Sequence, residues 1–199
     1  MAKSKATEID NEKVMRKISK SELKKYLKNA DVDVVSNFTL NIYTPCPSTG
    51  EELNLVDYGD SDTVTIDMLL FIKKKARFLL EKGWLIIEDV YIEDLPEDVE
   101  IEVKDIYEFL SLGKVYDKIK DLDTDYFDNL LLKEKYVEFE KRVRKMDSAL
   151  RVVLINRAID LYKQKEFSDS NKQRTLIDIE CNETLFSEYD EVASKKKKK

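Results

Sequence analysis

Between Thr63 and Asp89 the apolar and polar positions follow the sharpest pattern in the chain. Leu69, Ile72, Ala76, Leu79 and Leu80 recur at helical spacing, while Lys73, Lys74, Lys75 and Arg77 fill outward positions. Thr65 is placed to cap the start. Asp67 lies in the first turn, where the helix dipole favours an anion, and Gly83 can take the left-handed conformation that ends a helix. The spacing predicts one helix over 66–82. Trp84 to Ile87 is a short apolar run of the kind that makes a buried strand.

Upstream the period changes to two. Phe38, Leu40 and Ile42 alternate with Thr39, Asn41 and Tyr43, and Leu53 and Leu55 alternate in the same way. Thr44 to Gly50 separates them as a loop, so 38–43 and 53–58 are predicted to form a hairpin. Further upstream, Val14, Met15 and Ile18 suggest one or two helices within 9–28, with Ser21 as a cap. Downstream, Val90, Ile92, Ile101 and Val103 suggest an extended segment, a turn at Leu95-Pro96-Glu97 and a return. Ile106, Tyr107, Phe109 and Leu110 begin a helix that Gly113 is expected to stop, and Val115, Tyr116 and Ile119 form a second. Residues 125–132 form a short third helix. Tyr136, Phe139, Val143 and Met146 make a stripe. Asp147 or Ser148 can cap a helix whose inward face is Leu150, Val153, Leu154, Ala158 and Leu161, with Arg151, Asn156 and Asp160 facing another way. Phe167 to Lys172 reads as a polar loop, 175–180 as a short closing element, and Leu185, Phe186 and Tyr189 as residues that dock after it.

These elements predict an α+β fold, mostly helical. A small antiparallel sheet (38–43, 53–58 and 84–92) packs on the central amphipathic helix, and a C-terminal helical region follows. The expected divisions are a basic helical arm at 1–30, an α+β core at 31–103, a helical region at 104–190 and a lysine tail at 191–199.

Composition narrows the chemistry. The 199 residues are 42% hydrophobic, enough for a core, and 38% charged, well above the usual figure of roughly 25%. The net charge of −6 gives the whole molecule no generic attraction to nucleic acid or to an anionic membrane. There is no histidine, which removes the commonest general base, zinc ligand and pH switch. Cys46 and Cys181 have no neighbouring cysteine, so neither a zinc site nor a CxxC pair is expected, and two free thiols is a plainer reading than a disulfide. No apolar run is long enough to span a membrane, and the N-terminus lacks the apolar core of a signal peptide.

The charge is unevenly placed. Residues 1–28 hold nine basic and four acidic side chains, while 88–128 hold fifteen acids and four lysines. Lys195 to Lys199 end the chain as a cationic tail. Positive ends and a negative middle would suit salt-sensitive head-to-tail contacts between copies.

Three constellations invite a functional reading. Asp57, Asp60 and Asp62 suggest calcium, but an EF-hand loop starting at Asp57 would put Met68 where its glutamate is needed, so the acids are read as solvating a turn and charging the next helix start. The loop tip Pro45, Cys46 and Pro47 lacks any suitable base, so it is read as a contact loop rather than a nucleophile site. Lys141, Arg142, Arg144 and Lys145, beside a helix–turn–helix-like junction, could meet phosphates, although such stripes are ordinary core packing. No recognisable acid/base pair or metal motif appears, so neither an enzyme nor a cofactor is expected.

The composition, rich in Lys, Asp, Ile, Asn and Tyr, has the bias of AT-rich coding sequences. Val56-Asp57-Tyr58-Gly59-Asp60, Thr63-Val64-Thr65-Ile66-Asp67-Met68-Leu69 and Gly83-Trp84-Leu85-Ile86-Ile87-Glu88-Asp89 resemble a pattern in small structural proteins of tailed bacteriophages. There a hairpin leads into a capped helix, a strand and several amphipathic helices. The resemblance covers about 38–90. It implies a virion component, of the head or the head–tail junction, that binds neighbouring subunits in the virion or host cytoplasm, and it carries over no active-site residue. The expectation is therefore a structural or assembly protein forming a homo-oligomer or larger assembly without a membrane. The alternative is a nucleic-acid-binding or transcription-regulating factor using 141–151 and the lysine tail.

Overall fold

The computed structural model describes residues 16, 18–122, 125–187 and 189. The fold is α+β and mostly helical, as the periodicity predicts. Among the described residues, five strands form two antiparallel sheets: β1 (Ala30–Ser36), β2 (Ile42–Pro45), β3 (Glu52–Leu55), β4 (Ser61–Thr65) and β5 (Leu85–Ile92). The larger sheet has the order β4-β1-β5, and β2 and β3 pair separately.

The sheet is not the one the alternation suggested. Its centre is β1, whose Val32 and Val34 are fully buried, and 30–36 was not read as a strand. The expected strand over 38–43 begins only at Ile42. Ser36 explains the delay. Its hydroxyl donates to the Phe38 carbonyl (3.0 Å) and accepts the Phe38 N–H (3.3 Å), while the Asn37 N–H donates to the Trp84 carbonyl (2.8 Å). The chain bends there, leaving Leu40 63% exposed. The hairpin itself is real but shorter, with Ile42 opposite Leu55 and Thr44 opposite Leu53. No return strand follows β5, because Val103 opens a helix instead.

The central helix is also divided. α2 (Ile66–Lys75) and α3 (Arg77–Glu81) meet at Ala76, which leaves helical geometry at φ −137°. Thr65 caps α2 as expected, accepting the Met68 N–H (3.2 Å). Asp67 lies in the first turn as expected, and Glu51 from the hairpin adds a second anion at this helix start, accepting the Thr65 hydroxyl (2.7 Å) and N–H (3.2 Å). The 57–62 acids are spent elsewhere: Asp60 takes the N–H groups of Val56 and Asp57, both at 2.9 Å.

Seven further helices lie among the described residues: α1 (Lys20–Tyr26), α4 (Val103–Phe109), α5 (Gly113–Ile119), α6 (Tyr126–Asp128), α7 (Tyr136–Lys145), α8 (Ser148–Gln164) and α9 (Ser170–Glu180). A π-helical turn, Asn129–Lys133, joins α6 to the segment before α7. Asp147 caps α8, and Leu150, Val153, Leu154, Ala158 and Leu161 are buried as the spacing predicts. Gly113 starts α5 instead of stopping α4. The turn is made by Ser111 in left-handed geometry (φ 58°), with Leu112 N–H on the Tyr107 carbonyl (2.7 Å). The 167–172 loop and the 175–180 element are largely one helix, α9, capped by Asp169. Leu185 and Phe186 dock in the core as expected. One buried apolar cluster runs from Leu27 to Phe186, joining the sheet to the helices.

The arm at 1–15 and the tail at 191–199 lie outside the described residues. Within the described part, α1 is capped by Ser19, two residues before the expected Ser21. Glu22 completes a capping box with Ser19 and pairs with Arg16 (2.9 Å), and Arg16 also reaches Asp98 (3.3 Å).

Two outcomes are expected. The Ser19 backbone N–H, the Arg16 guanidinium and the Ser19 hydroxyl draw the Glu22 carboxyl down from 4.5 to about 2. Its support for α1 is therefore complete above pH 4.5 and is lost as pH falls through about 2. A carboxyl-detected NMR titration with a midpoint near the ordinary value would contradict the capping box. At Gly83 (φ 65°) an added Cβ would meet Leu150 at 3.2 Å and Ile119 at 3.3 Å, whereas at Gly50 (φ 78°) it would meet nothing within 4 Å. Gly50→Ala should cost about 1 kcal/mol in urea melts and Gly83→Ala about 1–2 kcal/mol more. Equal costs would show that the close approach at Gly83 is immaterial.

Candidate functional site

Hairpin alternation sorts side chains by face. Ile42, Thr44, Leu53 and Leu55 point into the core, and Tyr43, Pro45, Glu52 and Asn54 point to solvent. Val56 continues the outer face just past β3. Tyr43 is 57% exposed and Val56 51%, with Leu40 flanking them at the mouth of β2. Tyr43 is held in place by a hydrogen bond from its hydroxyl to Glu52 (3.1 Å), which raises its pKa above the ordinary tyrosine value. The outer edge of β2 has no strand partner among the described residues. Pro45, at the end of that edge, has no N–H to offer, so the edge is partly guarded against unspecific pairing.

The predicted contact loop therefore divides. Pro45 and Pro47 are exposed beside this apolar face. Cys46 is not, at 1% exposure, and packs into the core with its Sγ 3.2 Å from the Ser48 hydroxyl. That hydroxyl, with Thr49, holds the Cys46 thiol below its ordinary pKa despite the opposing effect of burial. Cys46 supports the loop from inside and makes no outward contact. Both cysteines are free thiols, Cys46 buried and Cys181 exposed.

The basic cluster stands on α7, and three of its four cations face nearby carboxylates. Lys141 faces Glu138 (3.8 Å), Arg142 faces Glu134 (3.4 Å) and Arg144 faces Glu140 (2.8 Å). Lys141, Arg142 and Lys145 edge an open cleft of about 510 Å³ floored by Leu122, Tyr126, Met146 and Leu150. Lys118 joins its rim but is tied to Asp147 (2.8 Å), whose carboxyl it holds below the usual aspartate value. Arg144 does not line the cleft. The four predicted cations thus fall in two directions, and the cleft they share mixes both signs of charge.

Among the described residues, no group of three or more Cys, Asp or Glu side chains could hold a metal ion, and no helix is long and apolar enough to cross a membrane. No protein-family model, curated protein or solved structure matches the chain.

Of the outer hairpin face, only Pro45 is among the residues the sequence singles out. Its signal was present, since Tyr43 and Val56 are apolar residues at polar-phase positions of an alternating segment. Burial decides thiol reactivity here. In a thiol-titration time course, Cys181 should react at once, and Cys46 at least about tenfold more slowly, at a rate set by local opening. Two equally fast thiols would place Cys46 at the surface.

Proposed function

We propose that the protein is a structural or assembly component that acts through protein–protein contacts, using the outer face of the β2–β3 hairpin. The observation that carries this reading is the concentration of Leu40, Tyr43 and Val56, each more than half exposed, along one hairpin whose inner face is core. Exposed apolar side chains gathered beside an unpaired strand edge suit a partner that covers them. Tyrosine adds a polar handle to apolar area, which favours specific contacts. The setting we propose is the particle of a tailed bacteriophage, at the head or head–tail junction. It rests on the resemblance of residues 56–69 and 83–89 described above.

The alternative, nucleic-acid binding through 141–151, draws on Lys145, the one cation of the α7 four with no carboxylate at ion-pair distance among the described residues. A solvated cluster already matched by acids offers phosphates little net attraction. The two readings separate in one set of measurements. Light scattering at low and high salt should give a native mass that is a multiple of 23.4 kDa. The double substitution Tyr43→Asp, Val56→Asp should return it to monomer without lowering the melting temperature, because both positions are exposed. A monomeric wild-type chain, together with DNA retention that falls steeply with salt and is lost in Lys141→Glu, Lys145→Glu, would overturn the assembly reading in favour of the alternative.

A further inference from the structure

The sheet and the α4–α5 helices leave a cavity of about 260 Å³ between them. A break in the β1–β5 ladder shapes its strand side. Asp33 pairs with Asp89 and the next residue, Val34, pairs with Ile87, so Glu88 is looped out as a bulge. The Ile87 N–H donates to the hydroxyl of Tyr107, a fully buried tyrosine of α4 (3.1 Å). That hydroxyl's own hydrogen meets no acceptor among the hydrogen bonds of the described residues. Asn37, beyond the end of β1, is only 2% exposed, and its side-chain nitrogen has no hydrogen-bond partner. Both residues stand in the cavity wall, and the rest of the wall is mainly aliphatic, with Val35, Ile86, Val103, Ile119 and Leu122.

A buried donor without a partner is destabilising, because it has given up its bond to water and gained none. Two donors in one apolar wall therefore call for an acceptor. The charges at the rim offset each other, since the wall holds both Lys120 and Glu88. An anion would gain little from that pair and would lose its hydration. We propose that this cavity binds a small uncharged molecule with an apolar body and one carbonyl-type oxygen, of the aryl or alkyl carboxamide class. The Asn37 amide and the Tyr107 hydroxyl would donate to the oxygen. At roughly 30 Å³ per non-hydrogen atom, the cavity holds about nine such atoms. This site is independent of the hairpin face and does not rest on the assembly reading.

The test uses the full chain and three probes that share a phenyl ring: benzamide, benzoate and toluene. Binding is followed by the NMR shifts of the Asn37 side-chain NH₂ and the Ile87 amide. Benzamide should shift both signals, with a dissociation constant on the order of 1 mM. Toluene, which offers neither donor an acceptor, and benzoate, which must shed its hydration, should each bind at least about tenfold more weakly. Asn37→Leu, which removes one of the two donors, should bring benzamide part of the way down toward toluene. No shift at those two signals with any probe would overturn the proposal, as would toluene matching benzamide or benzoate exceeding it. The wild-type comparison decides the matter even where Asn37→Leu does not fold.

Discussion

Strand β1 is the constraint on which the rest of the structure depends. It is the only strand of its sheet with a neighbour on both sides among the described residues. Its register is set by charge as much as by hydrophobicity. Val32 and Val34 point into the core and Asp31 and Asp33 point out. A slip of one residue would bury both aspartates and expose both valines, so alternative pairings are strongly disfavoured. The outward face is then arranged around Asp33. Thr63, directly opposite on β4, donates its hydroxyl to Asp33 at 2.6 Å. On the other side Asp33 faces Asp89, a like-charged pair that disfavours the ladder. The Tyr91 pKa is raised above the ordinary tyrosine value by these carboxylates, Asp89 first. The bulge at Glu88 follows immediately, so the ladder breaks next to this like-charged pair.

From this strand the helices are placed by a few specific contacts. At the end of β1 the Asn37 N–H fastens the chain to the Trp84 carbonyl and the Ser36 N–H to the Asp60 carbonyl, and the Trp84 ring stacks on Phe38 at 4.2 Å. Gly83 lets α3 turn into β5 while lying against Leu150 of α8 and Ile119 of α5. Arg157 of α8 grips Asp128 with two bonds of 2.6 and 2.7 Å and lies over the Tyr58 ring. That bidentate pair is largely shielded and ties α8 to α6, and the Tyr58 contact joins the turn after β3 to the helical region.

Much of this was legible in the sequence, and the failures have physical causes. The α2 cap, the α8 face, the Gly83 turn and the docking of Leu185 and Phe186 all follow from spacing and capping chemistry. β1 alternates as clearly as any segment, but aspartate is a poor strand former, and its outward pairing with Thr63 lies 30 residues away. α9 was obscured for the opposite reason. Lys172 occupies its buried face, 2% exposed, with its ammonium on the Leu131 carbonyl at 2.7 Å. A lysine at a core position breaks the apolar stripe that reveals a helix. The basic cluster on α7 was visible as residue types, but its neutralisation depended on where Glu134, Glu138 and Glu140 point, and Cys46 looked exposed only because its loop is polar.

Lys172 also shows why the irregular segment before α7 is stable. A π-helical turn leaves carbonyls poorly matched to their own chain. At Leu130 and Leu131 those carbonyls face the core, where water is not available to satisfy them. The Lys172 ammonium supplies the missing donors at 3.4 and 2.7 Å and sits over the Phe139 ring at 5.3 Å. Burial lowers the lysine's pKa, while Asp169 and Glu134 oppose the shift. An uncharged side chain of similar length would relieve that desolvation but would orphan two carbonyls, so the cation and the π-turn are each tolerable only because of the other. The same logic separates this site from Asn37. Lys172 is a buried polar group whose partners the fold provides, and Asn37 is one whose partner the fold does not.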